Sequence, residues 1–241
     1  MHSRSPLALH LLDGPYVTQA DHRREIPDSV QRLVVLVALR RGPVGRQLAA
    51  GSLWPAHRDN RAAANLRSVL WRLRSADLDL LVAVNGAVSL HPDVEVDLHA
   101  VTAWSDRIID GSRPTDADLV PSAQRLLALE LLPGWHDDWV LMERERLRQR
   151  ILHTMETVSR ILLRRHHYTN AVEAAMLVVS ADPLRESAQR VLIEAHLGER
   201  NLTEAHRTYE AFRALLWQEL GVLPSAGLRA LVEHPPNPFR A

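Results

Sequence analysis

DNRAAANLRSVLWRLR, residues Asp59 to Arg74, decides how the chain is read. At a helical period, Ala62, Ala63, Leu66, Val69, Leu70 and Leu73 fall on one apolar face. Arg61, Ala64, Ser68, Trp71 and Arg72 project from the other side, with Asn65 and Arg67 on the flanks. Asp59 or Asn60 is placed to cap the first turn, where a short side-chain oxygen accepts free backbone N–H groups. From Arg40 to Arg74 there are eight arginines against a single acid, Asp59. A helix needs one apolar stripe to dock on a core, so the basic side is open to another use, and phosphate is its natural partner. An arginine-rich amphipathic helix is more often a solvated surface helix than a recognition helix. The flanking sequence has to separate the two readings.

Upstream, Leu7–Leu12 is a short apolar run closed by Asp13-Gly14-Pro15, and Tyr16–Ile26 mixes strand-forming with polar residues. Two or three short antiparallel strands are expected there. Asp28 or Ser29 would cap a first helix with Val30, Leu33, Val34 and Val37 on its inner face, stopped by Arg40-Arg41-Gly42-Pro43. A second helix, Val44 to Leu53, would carry Leu48 and Ala49 inward. Downstream, Leu80–Val84 and Ala87–His91 flank Asn85-Gly86, the strongest short hairpin signal, because the tight turn needs positive φ at both central residues. Strands, three helices and a hairpin, in that order, make a winged helix. Its third helix enters the major groove, and the hairpin tip approaches the neighbouring backbone or minor groove.

The chain has 241 residues, enough for two domains, and an ordinary globular composition of 46% hydrophobic and 24% charged residues. Its net charge is zero, yet residues 1–96 carry 12 arginines and 9 acids while 97–241 carry 17 and 20. Basic charge is therefore concentrated around the third helix. There is no cysteine, which excludes disulfides and thiolate zinc sites. There is no lysine either, which excludes a lysine-bearing phosphate loop and Schiff-base catalysis. Nothing in the sequence reads as a signal peptide or a membrane span, so a cytoplasmic protein without membrane association is expected.

Pro92–Val96 reads as a hinge, and the rest as helices: Asp97–Ile109, Ser122–Leu132, and a long one from Asp137-Asp138 to about Arg165. Glu143-Arg144-Glu145-Arg146 with Arg148 and Arg150 would form a solvated, salt-laced face on the last. Tyr168 and Leu202, Ala171 and Ala205, Ala175 and Tyr209, and Val178 and Phe212 are each 34 residues apart, the tetratricopeptide period. Asp182-Pro183 and Leu223-Pro224-Ser225 punctuate successive repeats. His136-Asp137-Asp138, with Glu143 and Glu145 beyond, is the best metal-like cluster. Adjacent residues at a helix start diverge, so a cap explains it better. His166-His167 at a helix end reads as partial positive charge facing the helix dipole. No serine sits in a nucleophile elbow, and no metal, cofactor or enzymatic activity is expected.

Two sets of motifs resemble one known family. Leu53-Trp54-Pro55, Ala64-Asn65-Leu66-Arg67-Ser68 and Trp71-Arg72-Leu73-Arg74 resemble the DNA-binding half of the SARP-type activators, the Streptomyces antibiotic regulatory protein family. Leu131-Leu132-Pro133-Gly134-Trp135-His136-Asp137-Asp138-Trp139-Val140, Glu143 to Arg148, Ala181 to Glu186 and Glu219-Leu220-Gly221-Val222 look like its bacterial transcriptional activator domain. The resemblance covers roughly residues 7 to 232. It implies a mainly α protein: an OmpR-like winged helix-turn-helix with a small β-sheet and wing over residues 1–96, and a tetratricopeptide-like helical domain over 97–234. A flexible tail, 235–241, would follow. Arg61, Asn65, Ser68 and Arg72 would then face DNA, with Arg67 and Arg74 near phosphates and Asn85-Gly86 at the wing tip. Leu66, Leu70, Leu73 and Trp54 would be core, and Trp71 fits either role. The partners implied are double-stranded promoter DNA, RNA polymerase and a second copy of the chain, with activation as the outcome. Members carrying an ATPase or receiver domain are longer, and this sequence has the motifs of neither. The rival from another class is an interaction adaptor, in which the helical half binds a protein and the winged helix binds no DNA.

Overall fold

The computed structural model describes residues 7–75, 78–111, 114–119 and 130–235. The chain divides into two compact units, Met1–Ala103 with Leu129–Arg144, and Trp104–Ala128 with Glu145–Ala241. The first carries all the strands found among the described residues; the second is helical there.

Three strands open the first unit: β1 (Leu7–His10), β2 (Tyr16–Gln19) and β3 (His22–Glu25). Gly14 lies in the β1–β2 link, where a Cβ would sit 2.0 Å from the His10 carbonyl oxygen, so only glycine fits. Ala20 and Asp21 turn β2 into β3 with φ of 47° and 61°, a two-residue turn written without the expected glycine or asparagine. Helix α1 (Asp28–Arg40) follows. Its cap position is Pro27, with no side-chain cap bond, and Asp28 is its first helical residue rather than its cap. Leu33 to Ala38 are buried without a break, so α1 is wrapped on several sides rather than laid down on one face. Arg41, at φ 54°, ends it.

Val44–Gly45 is not the start of the second helix but a short strand, β4. Helix α2 (Arg46–Leu53) then packs Ala49, Ala50 and Leu53 inward. Leu48, expected inside, is 54% exposed: the buried edge of this short helix follows the alanines that let it approach α3 (Asp59–Ser75). Helix α3 begins at Asp59, and the carbonyl of Arg58 accepts its first bonds from Arg61 and Ala62. The wing is β5 (Leu81–Val84) and β6 (Ala87–Leu90), joined through Asn85 (φ 47°) and Gly86 (φ 79°). Its sheet runs in the order β4-β6-β5. The expected hinge contains β7 (Val94–Val96), which pairs in parallel with β1 to complete a sheet ordered β3-β2-β1-β7.

Helix α4 (Asp97–Ile109) starts directly after β7. The Asp97 carboxylate accepts the backbone N–H groups of Leu11 (3.0 Å), Leu12 (3.0 Å) and Leu98 (2.6 Å). His99, two residues on, donates from Nε2 to the Ala38 carbonyl at 2.8 Å. Most of the helix expected over Ser122–Leu132 lies outside the described residues. Leu131 instead bridges Leu12, and Leu132 has φ 53°. The Arg144 guanidinium gathers the carbonyls of Leu131, Leu132 and Trp135 (2.8–3.3 Å). Arg32 pairs with Asp137 in the same turn.

In the second unit, after the short α5 (Asp116–Leu119), come α6 (Asp138–Arg164), α7 (Tyr168–Ala181), α8 (Glu186–Gly198), α9 (Leu202–Leu220) and α10 (Ala226–Glu233). The 34-residue spacing is written into the backbone. His166 N–H donates to Leu163 and His167 N–H to Leu162; Arg200 N–H donates to Leu197 and Asn201 N–H to His196. His166 and Arg200 have φ of 62° and 63°. These are two copies of a left-handed helix ending, each followed by the next helix. Ala171 and Ala205, Ala175 and Tyr209, and Val178 and Phe212 are all buried. Phe212 packs with Ile193, Leu216, Leu228 and Val232. The α6 surface is less solvated than expected. Arg148 binds Asp182 at 3.3 Å, Arg150 binds Asp106 at 2.8 Å, and Arg144 is committed to the carbonyls above. Among the described residues no helix is long and apolar enough to cross a membrane.

Removing the Asp97 carboxylate strands two backbone donors of the β1 segment. Asp97→Ala should lower unfolding free energy by roughly 2–3 kcal/mol, read as a fall in urea midpoint. Burial holds the His99 imidazole below its ordinary value near 6.5, only partly offset by the bond to Ala38. The unfolded chain therefore takes up that proton first. The contribution is complete above about pH 6.5 and fades below it. Urea titrations should show lower stability at pH 5.5 than at 7.5, and His99→Gln should flatten that difference.

Candidate nucleic-acid interface

The sequence of α3 splits the helix into a docking side and an open side. Ala62, Leu66, Val69 and Leu73 are buried, with Ala63 and Leu70 half-buried at the seam with α2. Directly opposite, along the crest, lie Ala64 and Trp71, two turns apart. Arg61, Ser68 and Arg72 form one shoulder of that crest; Arg67 and Arg74 form the other. All five shoulder residues are exposed, as are Asn85 and Gly86 at the wing tip, whereas Asn65 is half-buried beside the docking side. Leu66 and Leu73 are core; Leu70 and Trp54 are only half-buried. Trp71, which the sequence left between two roles, is 69% exposed. Ser68 does not point its hydroxyl outward: Oγ donates to the Ala64 carbonyl at 3.2 Å.

One cation takes a place that the charge count did not reveal. Arg46 opens α2, and its backbone N–H donates to the Gly86 carbonyl at 3.3 Å, which sets an exposed arginine beside the wing turn. That placement follows from the β4–β6 pairing, Val44 with Val88 and Gly45 with Ala87. The two-residue β4 leaves no periodic signal in the sequence.

The eight arginines from Arg40 to Arg74 are all exposed, and among the described residues none makes an ion pair. Arginines elsewhere behave differently. Arg185 binds the buried Glu156 at 2.6 Å, and Arg107 binds Asp118 at 2.8 Å. With help from Thr115, Arg107 holds the Asp118 carboxyl down to about 2. The arginines from Arg40 to Arg74 have no such partner among the described residues, so their charge is directed to solvent and to whatever polyanion approaches. The arrangement provides positioning charge on two shoulders and a crest between them; it provides no nucleophile–base pair. A cleft of about 160 Å³ between α2 and α3, floored by Ala50, Ala62, Leu66 and Leu70, is smaller than a typical cofactor site. His136 is exposed, Asp137 is tied to Arg32, and Asp138 is the first residue of α6. His166 bonds Tyr168 through Nδ1 at 2.7 Å, and His167 precedes α7 without a side-chain cap bond.

A winged helix followed by helix-pair repeats defines a class of transcriptional regulator. Residues 93–234 match the bacterial transcriptional activator domain, and the chain belongs to that family as a SARP-type regulator. It is 29% identical over 230 residues to the regulatory protein AfsR of Streptomyces coelicolor, a match that covers 90% of this chain and 23% of AfsR. The chain thus spans about a quarter of that relative's length. The same fold occurs in Mycobacterium tuberculosis EmbR, solved in complex with a low-affinity phosphopeptide. The TM-score is 0.69 at 19% identity, over 95% of this chain and 64% of EmbR.

Proposed function

We propose that the chain binds double-stranded promoter DNA sequence-specifically through α3 and the wing. In this reading it acts in the cytoplasm as a homodimeric activator that contacts RNA polymerase, by binding rather than catalysis. The observation that carries this reading is the open side of α3, where arginines that make no ion pair among the described residues flank a crest formed by Ala64 and Trp71. Arg67, Arg74 and Arg46 position the helix on phosphates. Arg61, Arg72 and Asn65 reach for base edges, with Ser68 joining them once its hydroxyl leaves the Ala64 carbonyl, and Asn85-Gly86 meets the adjacent backbone. Family membership and the likeness to AfsR support the regulatory part. RNA polymerase and the second copy are assigned to the helical unit.

That unit also favours the adaptor reading in one respect. Trp217, Leu220, Val222 and Leu223 are each 49–62% exposed within seven residues, an apolar surface of the kind proteins dock on. Fluorescence anisotropy against promoter DNA from the gene's own neighbourhood and against scrambled DNA, over a salt series, separates the two. The regulator binds its promoter more tightly, with log affinity falling linearly in log salt. Absence of binding to either DNA at low salt leaves the adaptor. Within the regulator reading, Arg72→Ala should weaken promoter binding by roughly 1–3 kcal/mol and relax base preference. Arg74→Ala should weaken all sequences alike and reduce the salt slope by about 1. Equal losses on cognate and random DNA for both variants would remove Arg72 from base reading.

A further inference from the structure

We infer that Trp71 reads the C5-methyl group of thymine, which adds an apolar contact to the base recognition by α3; the inference rests on the DNA-binding reading above. An indole on a protein surface normally lies against something. This one is left largely open: at 69% exposure Trp71 is the most exposed large hydrophobic side chain among the described residues. Arginines surround it along the helix, at Arg67, Arg72 and Arg74, yet none stacks on it. Among the described residues, the arginine–aromatic contact is Arg23 over Tyr16, 4.0 Å from the ring centroid. Trp71 is thus neither a shield for a cation nor part of the core.

Its surroundings define what it is suited to touch. The serines one turn either side, Ser68 and Ser75, both turn their hydroxyls back onto the helix, to the carbonyls of Ala64 (3.2 Å) and Trp71 (3.1 Å). Ala64, two turns earlier on the crest, is too short to hold the helix away from a groove floor. The crest is therefore apolar, and the polar groups beside it are engaged internally or are the long arginines of the shoulders. With Arg67 and Arg74 against a phosphate wall and Arg61 and Arg72 reaching base edges, the crest between them faces the groove floor. The major groove offers one apolar group there, the thymine methyl, which apolar and aromatic side chains contact.

Duplexes selected from a random-sequence pool by the full chain supply the probe. Each thymine of the selected site is replaced in turn by deoxyuridine, which removes the methyl group and nothing else. At one or more positions the wild-type affinity should fall about three- to fivefold, the size expected for one buried methyl group. Trp71→Ala should bind thymine and deoxyuridine sites alike at those positions and should select a site with the thymine relaxed. Trp71→Phe should retain a reduced preference. Because the side chain is exposed, the melting temperature of the variants should match the wild type, so a loss of preference is not a loss of fold. A site with no methyl-sensitive thymine, or one equally sensitive in Trp71→Ala, overturns the inference while leaving DNA binding intact. So does an unchanged selected sequence, which would place the indole on a protein-docking surface. If the wild-type chain selects no sequence at all, the DNA-binding reading itself falls.

Discussion

One carboxylate holds the N-terminal unit in register. Asp97 is the first residue of α4 and follows β7 without a link, yet its oxygens are occupied by backbone donors from Leu11 and Leu12 at the far end of β1. The same two residues pair onward with Leu131 and Leu132, whose carbonyls are held by Arg144. Strand, helix and returning turn therefore meet at one half-buried polar point. A carboxylate accepting several N–H groups can sit half-buried at such a junction because its lone pairs are satisfied. Two residues further along, His99 donates to the Ala38 carbonyl near the end of α1, just before Arg40 and Arg41. The geometry of the basic surface is thus anchored from behind, by groups that never face solvent fully.

What was legible in the sequence was what is local. Helix α3 declared itself because its apolar stripe repeats over four turns, and the wing because Asn85-Gly86 supplies both positive φ angles. The 34-residue spacing was visible because buried small and aromatic residues recur in step. The elements that escaped are short and paired at a distance. Strand β7 has three residues and finds its partner near the opposite end of the unit's sequence; β4 has two. The β2–β3 turn uses Ala20-Asp21, residues that advertise no left-handed conformation. Leu48 and Arg144 failed for a related reason. A hydropathy pattern assigns leucine inward and arginine outward, but close approach of α2 to α3 selects alanine, and a cluster of free carbonyls recruits a guanidinium.

The helical unit shows how little side-chain identity a repeated backbone needs. His166 and His167 in one copy stand where Arg200 and Asn201 stand in the other, and the same pairs of backbone hydrogen bonds close both turns. Neither left-handed residue is glycine, so the conformation is imposed by the helices on either side. Below the turns, Ala171 and Ala205 are small where their helices meet the rest of the unit. The packed interior, more than the corner residues, carries the memory of the repeat.

The unpaired arginines around α3 bear on how such a regulator is governed. A basic surface latched by its own carboxylates would exist in open and closed forms, and its apparent affinity would scale with the open fraction. Among the described residues of this unit there is no latch of that kind. The competent fraction is then the folded fraction, which for a stable domain is close to one and insensitive to small losses of stability. On the DNA-binding reading proposed above, occupancy of a target would then follow dosage, the number of intact copies in the cell and whatever sets their synthesis and lifetime.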